Sequence, residues 1–159
     1  MDPISAEVVD KVWKRVASLS PRRAPNLIQH MTEEQPVVLA YLLAVDHDIL
    51  NNDERQLVLY LGVVIWQIMS QGKRPLPTVT EEILDAAEVK NIKMAEYLQG
   101  ETEEGFEKVT RTIIGNYRQP EVLRYVLEAM MEEPEEGCVI RDESQGIMFL
   151  DLKTVIDCF

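Results

Sequence analysis

Cysteine is scarce in this chain. Cys138 and Cys158 are the only two, neither lies in a Cys-x-x-Cys pair, and two alone make no disulfide framework. Glycine is sparse as well: the seven present stand mostly near expected helix ends. That leaves no glycine-rich loop to cradle a phosphate, and no P-loop, dinucleotide fingerprint or nucleophile elbow is present. A long apolar run is also missing. The longest, residues 57–65 with Trp66 after it, stops at Gln67; it is too short to span a bilayer and reads as a buried core helix. No apolar N-terminal stretch resembles a secretory signal, so the expected setting is a reduced cytoplasm. Positive charge is short too, with 16 Lys and Arg against 28 Asp and Glu and a formal charge of −12. The deficit is uneven. Residues 1–25 carry +2 from Lys11, Lys14, Arg15, Arg22 and Arg23 against Asp2, Glu7 and Asp10, so the remainder carries −14. An acidic body repels nucleic acid and anionic membranes, so neither is expected as a partner.

What remains is rich in helix formers: Leu, Glu, Ala, Lys and Met. An apolar fraction of 46% with mean hydropathy −0.13 fits one globular domain over residues 1–159. The expectation is an all-α chain of six or seven helices. The first begins near Asp2-Pro3 and carries the stripe Val8, Val9, Val12, Trp13, Val16, Leu19. "SPRRAP" (20–25) ends it, and "NLIQHM" (26–31) makes a short helical turn. Thr32 opens a second long helix, with capping-box spacing to Gln35 and Pro36 in the first turn. "DHDILNNDE" (46–54) is a polar break in which Asn51 or Asn52 caps the next helix, running to about Ser70. "SQGKRPLPTVT" (70–80) stops that one. Thr80 caps a helix over 81–99, closed by Gly100, and Tyr41, Tyr60, Tyr97 and Tyr125 are expected to pack with polar tips outward. Further helices cover 103–116 and 120–131. "CVIRDESQGIMFL" (138–150) is either a short β-hairpin near the C-terminus, turning at 144–146, or an extended "CVI" before a seventh helix over 147–158.

Two stretches say nearly the same thing: "QPVVLAYLLAV" (35–45) and "QPEVLRYVLEA" (119–129). Each is followed by a similar run, "LYLGVVI" (59–65) and "LDLKTVI" (150–156), preceded by "DERQ" and "DESQ". The pattern predicts an internal duplication of 35–70 and 119–158, and favours helix over 153–158. The differences predict more. Val37, Ala40 and Ala44 in the first copy are Glu121, Arg124 and Glu128 in the second, on one helical face. The Pro36 helix is therefore expected to be central, with Ala40 and Ala44 buried, and the Pro120 helix to lie at an edge. With the pair over 81–116 between them, three helix pairs in series resemble, in architecture only, the stacked helical hairpins of HEAT and armadillo proteins. An irregular bundle is the alternative.

For chemistry, "DHDILNND" (46–53) concentrates possible metal ligands. It is not an EF-hand loop: Leu50 holds the fifth place, Asn51 the sixth where glycine belongs, and Leu57 the twelfth. His47-Asp48 after a buried helix resembles the dyad of the all-helical HD phosphohydrolases. That resemblance implies an earlier His and a later Asp completing a metal site that activates water, which here means His30 and Asp85. The Gly-Lys that often follows the family's dyad is Leu50-Asn51. The plainer reading is a helix-end His and Asp followed by Asn caps. The sequence thus supports a non-enzymatic helical interaction module without cofactor. Its acidic surface would bind a protein partner, or the chain itself as a homodimer. The alternative is a metal-dependent phosphohydrolase holding its ion with His30, His47, Asp48 and Asp85.

Overall fold

The computed structural model describes residues 1–98 and 103–159. Among them every regular element is helical: α1 (Ala6–Ala17), α2 (Ala24–Glu34), α3 (Pro36–Ala44), α4 (Asn52–Met69), α5 (Glu81–Leu98), α6 (Glu103–Asn116), α7 (Pro120–Met131) and α8 (Asp142–Cys158). Eight helices replace the six or seven expected. The extra one arises at Gln35. Proline has no N–H and disfavours helix in the residue before it, so Gln35 leaves the helical region at φ −136°, ψ 60° and parts α2 from α3. Thr32 therefore lies inside α2, its Oγ1 donating to the Ile28 carbonyl, and does not open a helix. The C-terminal hairpin is also wrong. No strand occurs among the described residues, and α8 begins at Asp142, ahead of both readings offered above. The expected stop at Gly100 and the side chain of Tyr97 lie outside the described residues.

The helices start where the sequence supplies caps. Asn51 Oδ1 accepts from the Glu54 N–H at 2.8 Å while Glu54 Oε1 accepts from the Asn51 N–H at 2.9 Å, a reciprocal capping box. Ser5 and Thr80 cap α1 and α5 alike, each accepting from the N–H three residues on at 3.3 Å. Gln35 and Gln119 precede α3 and α7 without capping them. Their amides clasp an extended segment elsewhere. Gln35 Oε1 accepts from Val79 N–H and its Nε2 donates to the Pro77 carbonyl, both at 2.9 Å. Gln119 Oε1 accepts from Ile4 N–H at 2.8 Å and its Nε2 donates to the Asp2 carbonyl at 3.2 Å. Both glutamines are 1% exposed. The repeated Gln-Pro is thus a repeated clasp: α3 holds the lead into α5, and α7 holds the lead into α1.

Packing repeats in the same order. α4 packs on α1 and α3, α8 packs on α5 and α7, and α4 packs on α8. Contacts α1·α7 and α3·α5 tie the first half to the second, so the helices close on one another and do not form an open stack of neighbours. Burial along 51–69 matches that along 141–159 except at Asp53/Glu143, Leu59/Phe149 and Tyr60/Leu150; 4–19 matches 79–94 except at Val8/Ile83 and Val9/Leu84. This register pairs Leu61 with Asp151, one step off the pairing of the two "LxLxxVI" runs. Central α4 and α8 supply nearly half of the buried apolar residues, including Val64, Ile65, Trp66, Leu152, Val155 and Ile156. At Gly62 a Cβ would stand 2.4 Å from Leu42 Cδ1, so glycine there lets α3 cross α4 closely. The expected contrast between α3 and α7 fails: Ala40 and Ala44 are exposed, as are Arg124 and Glu128. Both helices bury one common face, Val38, Leu39 and Leu42 in α3 and Val122, Leu123 and Val126 in α7. Alanine on α3's outer face meets water because it is small enough to be indifferent to it.

Candidate functional site

The four residues of the metal reading do not assemble. His47 and Asp48 are exposed, with Nδ1 and Oδ1 3.6 Å apart. His30 lies exposed on α2 and Asp85 exposed on α5. Among the described residues no group of three or more His, Cys, Asp or Glu side chains is placed to hold a metal ion. Asn51 caps α4, as the plainer reading of this stretch had it. Asp46, the first residue of the stretch, goes elsewhere.

Asp46 ends α3 in the left-handed region at φ 49°, the one non-glycine residue to do so among those described. The turn is closed by Ile49 and Leu50 N–H groups donating to the Asp46 carbonyl, both at 2.9 Å. An aspartate there is tolerated but not preferred, and it places a negative charge at the helix end where the backbone dipole is already negative. Asp46 lines the same cleft as Asp151 of α8. Around the pair lie Tyr41 of α3 and Glu88 of α5, and the cleft so formed has a volume of about 530 Å³. Its walls are aliphatic: Val45, Ile49, Ile92, Ala95, Ile147 and Leu150. Ile49 and Ile92 stand exposed at the rim.

Asp151 is the centre of this cleft. It is only 7% exposed, and its Oδ2 is buried with no hydrogen-bond partner. Burial is the main cause that raises its pKa to about 9, followed by hydrogen bonding to Asp46 and the charges of Asp46 and Glu88. It is therefore a protonated acid at neutral pH. Burial first, then the Asp151 and Glu88 charges, raise the Tyr41 phenol as well.

Behind the cleft the polar groups are satisfied. Asn91 Nδ2 donates to Thr154 Oγ1 at 2.9 Å and to Asp157 Oδ2 at 3.0 Å. Lys153 Nζ donates to Asn91 Oδ1 and Asp157 Oδ2, both at 2.8 Å, and stands 5.1 Å from the Tyr117 ring centroid. The Tyr117 hydroxyl donates to Asp157 Oδ1. Thus the buried lysine and asparagine are engaged, and Asp151 Oδ2 is left without a hydrogen-bond partner.

A matching cleft lies between α1, α4 and α7, of about 480 Å³. Its residues at the equivalent positions are Trp13 for Glu88, Leu57 for Ile147, Tyr60 for Leu150, Leu61 for Asp151 and Tyr125 for Tyr41. Deeper in, Val16 stands for Asn91, Val63 for Lys153 and Val64 for Thr154, all buried. There the Trp13 and Tyr125 rings stack at 6.2 Å and hydrocarbon fills the interior. Charged residues line this cleft too, Asp10, Glu121, Arg124, Glu128 and Glu132, so it is the interior positions that are apolar in one arrangement and polar in the other. Burying polar groups costs free energy unless each is paired, so the fold alone does not call for Asp151.

A second ionic cluster is structural. Glu54, fully buried, accepts from Arg141 Nη2 at 2.6 Å and from the Arg141 N–H at 3.0 Å. Burial pushes this carboxyl up, but the Arg141 guanidinium and the Asn51 and Arg141 N–H groups outweigh it and hold the pKa at about 2. Asp53 accepts from Val139 N–H, and Asn51 Nδ2 donates to the Val139 carbonyl. The cluster fixes the segment before α8 against the start of α4.

The sequence reading singled out the stretch that begins at Asp46, named His47 and Asp48 within it, and did not name Asp151. A signal for it is the Leu61/Asp151 difference, which appears when α4 and α8 are aligned by burial and not when the two "LxLxxVI" runs are aligned. No helix among the described residues is long and apolar enough to cross a membrane. No family model, curated protein or solved structure matches the chain.

Proposed function

We propose that this chain is a non-enzymatic binding module that recognises a basic protein partner at the cleft between α3, α5 and α8. The observation that carries this is the polar interior of one cleft, Asn91, Asp151, Lys153 and Thr154, where the equivalent interior positions are Val16, Leu61, Val63 and Val64, with Asp151 Oδ2 buried and unpartnered. The acidic chain, at −12, favours encounter with a positive partner, and the aliphatic rim offers contact area around a charged centre. The engaged state of Asn91 Nδ2 and Lys153 Nζ leaves neither free to stabilise developing negative charge, which favours binding over catalysis. The repeated clasps, caps and burial are accounted for by duplication of a four-helix unit, with one copy of the cleft diverted to recognition.

The test is an array of peptides graded from acidic to basic, offered to the wild-type chain and to Asp151→Leu at 50 and 300 mM salt. Basic peptides are expected to bind, to weaken with salt and to bind the variant less. Binding that ignores peptide charge, or that Asp151→Leu leaves intact, would refute the module as located here.

A further inference from the structure

We infer that the cleft receives the alkylammonium side chain of a lysine from that partner, its stem along the aliphatic walls and its Nζ between the Asp151 and Asp46 carboxyls. The inference rests on the module reading and gives it a ligand chemistry. The charged groups facing the cleft fix the sign: Asp46 from the turn after α3, Glu88 and Glu96 from α5 and Asp151 from α8, with the Tyr41 phenol beside them. The lysine on α8, Lys153, is turned away to Asn91 and Asp157. Only a cation suits that lining. A divalent metal does not, because Ca²⁺ and Mg²⁺ take six or more oxygen ligands and Zn²⁺ four ligands, and the described residues hold no group of three or more His, Cys, Asp or Glu side chains placed to hold a metal ion. An ammonium on a four-carbon stem meets both halves of the cleft, since lysine buries its methylenes along apolar surface while its head seeks charge. A guanidinium is planar and stacks on aromatic faces, whereas Tyr41 is the one aromatic residue of this lining and six aliphatic residues make up the rest of its apolar wall. On binding, the Asp151 proton leaves to solvent and the carboxylate so formed pairs with the ammonium, so one proton is released per lysine bound.

The experiment is an amide NMR titration of the whole chain with a capped pentapeptide carrying one lysine between glycines. Parallel titrations use peptides with norleucine or arginine in its place, free cadaverine, and Mn²⁺. Asp151→Leu installs the residue the first half uses at that depth, and Asp46→Asn keeps the left-handed turn; both are expected to stay folded. The lysine peptide should give saturable shifts centred on Asp46, Glu88 and Asp151, the norleucine peptide none, and each variant should bind at least about tenfold more weakly. Titration in buffers of different ionisation enthalpy should report proton release. Tighter binding of arginine, equal binding of norleucine, saturation by Mn²⁺ alone, or unchanged affinity in Asp151→Leu would each overturn the lysine assignment. Binding of cadaverine without the peptide would give the cleft to a small amine and overturn it too. If the lysine peptide fails while other basic peptides still depend on Asp151, the lysine assignment falls alone; if that dependence is also missing, the module reading falls with it.

Discussion

At the scale of single residues, Asp151 carries a measurable cost. A carboxyl whose folded pKa is raised keeps its proton after the unfolded chain has lost it, so stability declines as pH climbs from the unfolded value near 3.9 towards about 9. Asp46, Glu88 and Tyr41 share that environment and remain in the variants. Asp151→Asn and Asp151→Leu are therefore expected to raise the melting temperature, and to raise it more at pH 8 than at pH 5. Apolar replacement of a buried ionisable group is often worth about 1–4 kcal/mol. Thermal scans at the two pH values check this, and a gain independent of pH would place the cause outside Asp151's ionisation. The sequence offered only part of this site. Asp46 stood in a stretch dense with polar residues and drew notice there. Asp151 stood between two leucines of an apolar helix, where an isolated acid looks like an outward-facing residue. Only the packing of α5 and α8 shows that it faces inward.

At the scale of elements, Gln35 and Gln119 have the clearest role. Each satisfies a backbone N–H and a carbonyl of an extended segment. Truncation leaves both groups without a partner, and buried orphans cost roughly 1–3 kcal/mol. Gln35→Ala and Gln119→Ala are each expected to destabilise by that amount in urea denaturation. Gln35→Ala should selectively raise hydrogen exchange at Val79, and Gln119→Ala at Ile4. Helix existence was readable in advance because caps, apolar stripes and prolines are local signals. The split between α2 and α3 was misread because Thr32 and Gln35 mimic a capping box while Gln35's amide is committed to Pro77 and Val79, more than 40 residues away. The segment before α8 looked like a hairpin arm because its apolar run has no periodicity of its own. Asp53, Glu54 and Asn51 on another helix decide its course.

At the scale of the molecule, an excess of twelve negative charges repels itself in the folded state. Raising salt from about 10 to 150 mM shortens the reach of that repulsion to roughly 8 Å, so the melting temperature should rise over this range. A fall would mean that attractive pairs such as Glu54–Arg141 dominate the balance. Composition was enough to foresee an all-α chain. The closure of one half on the other was not foreseeable, because α4 and α8 meet across about 90 residues of sequence and nothing local marks a helix for a distant partner. The two clasps also set a timetable. In a chain synthesised from its N-terminus, Gln35 finds Pro77 and Val79 once the first half and its lead into α5 have emerged. Ile4 must wait until Gln119 appears, 115 positions later. The lead into α1 is thus made before the lead into α5 and fastened down after it.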